Sequence, residues 1–322
     1  MRYLDVGGAR VSVIGLGTWQ FGSREWRYGQ AYARREAAAI TRRALDLGVN
    51  LIDTAEIYAF GRSERIVGEA IAGRRDEAFV ATKLYPAFPI EPVVVRRAIG
   101  SARRLGLERL DLYQVHAPNP VVPMSSTMRG MGRLRRMGRI DRVGVSNFTL
   151  AQWRGAEEAL GGPVLSNQVR YSLAVRDPER EILPWARTHD RLVIAYSPLA
   201  QGLLSGRHDA AHPPADVRAR NPLFLPGNMA AAAELLATLR EIAASLGATP
   251  AQVALAWLIR RPHVVAIPGA RSVAQLEANV AAAELALDDE QDRRLSEVSG
   301  RFRPRISKAD VRRHRLRSLL RR

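Results

Sequence analysis

The run FVATKLY, residues 79–85, carries an apolar stretch into a lysine. Of 49 Lys plus Arg in 322 residues, only Lys83 and Lys308 are lysine. Either residue would serve as a surface charge. A site that needs a compact ammonium with a tunable pKa would reject arginine, which is bulkier and stays protonated. Other polar residues follow apolar runs in the same way. LIDTAEIY brings Asp53 and then Tyr58, and DLYQVH ends at His116. A phenol with pKa ~10 is a poor proton donor at neutral pH unless its ionised form is stabilised. A nearby ammonium does that, and a carboxylate paired to the ammonium holds it in place. An imidazole can orient a carbonyl oxygen or share the proton. Taken singly, Asp53 reads as a helix cap, Tyr58 as a partly buried aromatic and His116 as a core histidine. Sharing strand ends, they read as an acid–base constellation.

The elements that must position them alternate between short apolar strands and helical stretches, which indicates a parallel β/α architecture. A hairpin over YLDVGGARVSV turns at Gly7 and Gly8. Eight strands are then expected at 13–17, 51–53, 79–83, 110–116, 143–146, 166–169, 193–197 and 264–268. Helices are punctuated by Gly48 and Gly73, by Ser63, by the Thr249-Pro250 start and by Ser272. Eight strands close a barrel, whose functional residues gather at the C-terminal ends of its strands. Ser146, Asn147, Gln168 and the run YSPL from Tyr196 stand at such ends too. An open doubly wound sheet would want G-x-G-x-x-G, but GLGTWQ has Gln20 in the last position, so Gly15 and Gly17 read as a tight turn. The Pro- and Gly-rich segment 200–229 is longer than a plain connection requires and leaves the seventh strand on the same face.

Apolar residues at 47% provide for a large core, and the absence of cysteine excludes disulfides and thiolate catalysis. The N-terminus lacks the apolar core of a secretory signal, and no run reaches the ~18 apolar residues of a membrane span. A soluble cytoplasmic protein is expected. The net charge of +17 would suggest a nucleic-acid partner. However, residues 301–322 hold ten Lys/Arg against the single acid Asp310, with Phe302 as the only aromatic. That tail reads as a solvated basic extension without specific nucleic-acid binding. The expected organisation is one unit over 1–300 and a flexible tail over 301–322.

The stretches GLGTW (15–19), LIDTAEIY (51–58), SERIVGEAI (63–71), ATK (81–83), DLYQVH (111–116), VGVSNF (143–148), NQVRYS (167–172), YSPLAQGLLSG (196–206) and IPGARSVAQLEAN (267–279) together resemble the aldo-keto reductases. They occur in family order over roughly residues 3–290. The resemblance implies a (β/α)8 barrel and an NADPH-dependent reduction of a small-molecule aldehyde or ketone. Tyr58 would be the general acid, tuned by Lys83 and Asp53, with His116 orienting substrate. By the same resemblance Ser146, Asn147 and Gln168 would hold the nicotinamide carboxamide, and Tyr196 would stack on its ring. Ser197, Leu199, Gln201, Leu203 and Ser205 would follow the pyrophosphate. Gly269, Arg271, Gln275 and Asn279 would meet the adenosine end, with Arg271 forked toward a 2′-phosphate. Ala278 stands where family members often carry Glu. Trp19, Phe21, Trp26, Tyr28 and Tyr85 are expected to line the substrate pocket. A second expectation is a cofactor-binding regulatory subunit resembling the potassium-channel β subunits, with turnover secondary.

Overall fold

The computed structural model describes residues 1–29, 32–209, 212–214 and 217–304. An antiparallel hairpin, β1 (Tyr3–Val6) and β2 (Ala9–Ser12), comes first. Its turn residues Gly7 and Gly8 have φ of 52° and 71°, the left-handed region where glycine is unstrained. Eight parallel strands follow: β3 (Leu16–Gly17), β4 (Leu51–Asp53), β5 (Phe79–Leu84), β6 (Leu110–Val115), β7 (Ile140–Ser146), β8 (Ser166–Arg170), β9 (Leu192–Tyr196) and β10 (Val264–Ala266). Each pairs with its neighbour in chain order. Parallel bridges Ile14↔Ala266 and Gly17↔Gly269 join the last strand to the first and close the barrel.

Closure corrects the reading of Gly15 and Gly17 as a turn. Both lie along the first strand, where Gly15 N–H donates to the Ala266 carbonyl at 2.7 Å and Gly17 N–H to the Pro268 carbonyl at 3.1 Å. A Cβ on Gly17 would come within 2.7 Å of the Ile267 carbonyl oxygen. The glycines are there because two backbones approach closely.

Helices alternate with the strands, and several begin at side-chain caps. Thr149 and Gln152 form a reciprocal capping box at Leu150–Leu160, and Thr249 and Gln252 do so at Pro250–Ile259. Ser272 caps Val273–Ala281 through the Gln275 N–H. The segment 200–229 contains short 3-10 turns at Ala200–Ser205, Val217–Arg220 and Pro222–Phe224 and the helix Pro226–Ala231. The last helix, Asp289–Arg301, is followed by Phe302, which is buried in the core, so the folded unit runs past residue 300. The remainder of the expected basic tail, 305–322, lies outside the described residues.

Alternation along the strands separates two environments. Outward residues such as Ile52, Val80, Tyr113, Val145 and Val193 join the helix faces in the main core. Inward residues Leu51, Phe79, Ala81, Leu112, Leu192, Ile194 and Val265 form a second cluster with Val6, Ala9 and Val11 of the hairpin. The hairpin therefore closes the barrel at the start of its strands. Continued two residues at a time, the same inward columns become polar at their other end.

Candidate active site

On β4 the inward column runs from Leu51 to Asp53, on β5 from Ala81 to Lys83, and on β6 from Leu112 through Gln114 to His116. Lys83 is fully buried and Asp53 is 2% exposed. The Lys83 ammonium donates to both Asp53 oxygens, at 2.8 and 2.6 Å, to the Thr54 carbonyl at 2.9 Å and to the Tyr58 hydroxyl at 3.4 Å. Gln168 Nε2 donates to Asp53 Oδ1 at 2.7 Å from the facing strand β8. Burying two ions costs several kcal/mol each, of the order that their attraction returns, and an apolar pair would be as stable or more so. Stability alone is therefore a weak reason for the pair.

Tyr58 hangs over the pair on the turn after β4. Lys83 Nζ lies 5.0 Å from the centre of its ring, and the His116 ring meets it edge-on at 5.8 Å. Burial pushes the phenol pKa up, with Lys83 pulling the other way, so the hydroxyl keeps its proton at neutral pH. Burial works most strongly against the Lys83 charge, but Asp53 and Tyr58 together outweigh it and the lysine pKa is raised. Burial pushes Asp53 up against the pull of Lys83 and Gln168. With the ammonium bonded to both carboxylate oxygens, we read the pair as ionised. Burial and then the Lys83 charge lower His116 to about 3, so its imidazole is neutral. Its Nδ1 is buried without a hydrogen-bond partner.

Next to this cluster, Ser146 Oγ donates to the Gln168 carbonyl at 2.9 Å, and Tyr196 OH donates to Asn147 Oδ1 at 2.8 Å. The Tyr196 ring is therefore fixed at its tip. The backbone from here on is unusual: Asn147, Ser197, Ala200 and Gln201 have φ between 48° and 61°, outside the glycine-free norm. Ser205 Oγ donates to the Gly202 carbonyl, and Gln201 Oε1 accepts from Asn221 Nδ2. Leu199 is half-buried, whereas Leu203 is fully buried in the core, so its side chain is unavailable to a ligand. Across the closing seam, Gln275 Oε1 accepts the Arg271 N–H at 2.9 Å, and Asn279 Nδ2 donates to the Gly269 carbonyl at 3.4 Å.

Residues 13–299 match the model of the Aldo/keto reductase family. The chain is 55% identical over 305 residues to an uncharacterized oxidoreductase of Mycobacterium tuberculosis, covering 94% of each chain. The chain belongs to the aldo/keto reductase family. It is also 34% identical over 282 residues to the methylglyoxal reductase YeaE of Escherichia coli, covering 87% of this chain and 88% of that one. Among solved structures, an aldo/keto reductase from Klebsiella pneumoniae in complex with NADP and acetate superposes with a TM-score of 0.75 at 32% identity, covering 95% of this chain and 97% of that chain.

The aromatic residues expected to line the pocket of this aldo-keto reductase divide. Trp19 and Tyr85 are 45% and 44% exposed at the mouth, and Trp26 packs edge-on against Trp19 at 5.3 Å. Phe21 is fully buried against Tyr32, and Tyr28 packs edge-on against the same Tyr32. Phe21 therefore belongs to the core, because the chain turns inward after β3, and it presents no surface to a substrate. Sequence reasoning overlooked a group of apolar residues on the loops after β4, β5 and β6. Phe60 is 92% exposed, Phe88 75% and Val121 79%, and Ile57 and Ile90 are exposed on the loops after β4 and β5. The signal was present in AFG, AFPI and PVVP, short apolar runs inside Gly- and Pro-marked loops. Glu56 and Gln114 were passed over too. Gln114 is fully buried beside the cluster and accepts from Ser166 Oγ.

Proposed function

We propose that this chain is an NADPH-dependent carbonyl reductase in which Tyr58 delivers the proton to the carbonyl oxygen. One observation carries the reading: a protonated phenol lies 3.4 Å from an ammonium that Asp53 locks in place. The residues fit the cofactor. Gln168 has its Nε2 engaged by Asp53, leaving Oε1 as an acceptor for a carboxamide N–H, while Tyr196 is a ring platform fixed by Asn147. Arg271 and the N-terminus of the helix Val273–Ala281 supply positive charge suited to phosphate. Bound NADPH would supply the hydride. Solution of the Klebsiella pneumoniae neighbour with NADP supports this choice of cofactor.

As charge develops on the carbonyl oxygen, Tyr58 gives up its proton and Lys83 stabilises the phenolate left behind. Neutral His116, set edge-on to the Tyr58 ring, orients the oxygen. Trp19, Tyr85, Phe60, Phe88 and Val121 are exposed apolar residues on loops that follow β3, β4, β5 and β6, which supports carbonyl substrates with an extended apolar substituent. The enzyme-named relatives favour this over a regulatory subunit.

The test is NADPH consumption with straight-chain aldehydes of increasing length. The proposal expects turnover whose kcat/KM rises by up to about 4-fold per added methylene while the chain lies against the exposed apolar residues. NADPH binding without turnover across the series would contradict it.

A further inference from the structure

Two residues before the proposed acid stands Glu56, a carboxylate that the chemistry above leaves unused. Its side chain is 13% exposed, and it faces away from substrate toward the helix Glu91–Leu105. Glu56 Oε1 accepts the Tyr85 backbone N–H at 2.6 Å and Arg97 Nη1 at 3.1 Å. Its own N–H donates to the Lys83 carbonyl at 3.4 Å. Arg97 also donates to the Tyr85 carbonyl at 2.8 Å. Behind it, Arg104 Nη2 lies 3.9 Å from Glu56 Oε2, and Arg104 Nε donates to Glu64 at 2.5 Å. Glu64 in turn accepts from Thr82 Oγ1 at 2.6 Å. The end of β5 that carries Lys83 is therefore tied to the turn that carries Tyr58, and Glu56 makes the tie with both backbone and side chain.

The turn needs such a tie. Ala59 and Phe60, directly after Tyr58, have φ of 48° and 56°, costly for residues with a Cβ. On its inner side the turn is rooted by the Thr54 N–H to Ala81 carbonyl bond and by Ser63 Oγ, which contacts both Thr18 and Thr54. Among the described residues, the Glu56 carboxylate is the side-chain anchor between the turn and the strand end beyond Lys83.

We infer that Glu56 is a positioning residue that sets the distance between the Tyr58 hydroxyl and the Lys83 ammonium, with Arg97 orienting its carboxylate. Burial raises the Glu56 pKa, opposed by the Tyr85 N–H and by Arg97, which fits a carboxylate held for its contacts. The inference rests on the proposed role of Tyr58. If Lys83 moves off the phenol, the phenol pKa rises further. Proton delivery then slows, and the high-pH limb of turnover moves up.

The experiment compares wild type, Glu56→Ala, Glu56→Gln and Arg97→Met in single-turnover NADPH oxidation across pH, with NADPH affinity from fluorescence and Tm recorded alongside. The inference expects Glu56→Ala to bind NADPH as wild type does, to lose about 10-fold to 10²-fold in rate and to shift the limb upward. Glu56→Gln keeps an acceptor for the Tyr85 N–H and should regain most of the rate. Arg97→Met should move the limb in the same direction, and it decides the matter if Glu56→Ala does not fold. A lower Tm with unchanged rate and limb in Glu56→Ala, or an unmoved limb in Arg97→Met, would overturn it. Failure of the Tyr58 role itself is separable, since Tyr58→Phe would then turn over normally.

Discussion

Lys83 Nζ lies 2.6 and 2.8 Å from the two Asp53 oxygens and 3.4 Å from the Tyr58 hydroxyl. The carboxylate grips the ammonium and the phenol touches it more loosely. Asp53 thus decides where the charge points, and Tyr58 feels it. That inequality suits a tuning group, which must be immobile and must not form its strongest bond to the acid it tunes.

Lys83→Arg tests the choice of ammonium. The site is fully buried, and a planar guanidinium needs more room and would direct its hydrogen bonds elsewhere. We expect NADPH binding to persist while carbonyl reduction falls by at least ~10²-fold, the scale of general acid catalysis. Steady-state rates across pH are the measurement, and the phenol limb should move upward. Wild-type rates with an unmoved limb would count against a tuning role.

Asp53 and Lys83 should behave as a pair in stability as well. Asp53→Ala leaves a buried ammonium without its carboxylate, and removing one partner of such a pair costs about 3–5 kcal/mol. Asp53→Leu combined with Lys83→Met should recover most of that loss in urea unfolding while remaining inactive. A double variant as unstable as the single one would show that the pair holds the fold together.

His116 should remain neutral over the working range. Its pKa is lowered to about 3 by burial and by the Lys83 charge. The unfolded chain takes up this proton near ~6.5 and the folded one near 3. The contribution of His116 to stability is therefore complete above ~6.5 and is lost as the pH falls toward 3. NMR shifts of its ring should stay flat between about pH 5 and 8. A titration near 6.5 would refute the neutral, orienting role.

Arg271 should distinguish the two nicotinamide cofactors. Losing a charge-assisted bond to a 2′-phosphate costs ~1.5–3 kcal/mol, so Arg271→Ala should weaken NADPH by roughly tenfold or more. NADH affinity, measured by titration of the same protein, should hardly change. Equal losses for both would remove Arg271 from the phosphate.

Much of this site could be read from local pattern. Period-two alternation beyond Leu51, Ala81 and Leu112 leads to Asp53, Lys83 and His116, and Thr249-Pro250 and Ser272 mark helix starts without any partner in view. What was illegible depended on residues far away in the chain. Gly15 and Gly17 read as a turn until Ile267 and Pro268 arrive from the last strand to close the barrel. Phe21 is an aromatic beyond a strand end, equally suited to a pocket wall or a core, and Tyr32 decides for the core. Glu56 gains its meaning from Arg97 and Arg104, which come from the far side of β5 in the chain.

The central claim is that Tyr58 is the proton donor, and Tyr58→Phe tests it most directly by keeping the ring and removing only the hydroxyl. Single-turnover NADPH oxidation at saturating aldehyde is the measurement, with NADPH affinity determined on the same protein. The account predicts unchanged cofactor affinity and a rate lower by ~10²–10⁴-fold. Reduction that survives within a few-fold of wild type would contradict it.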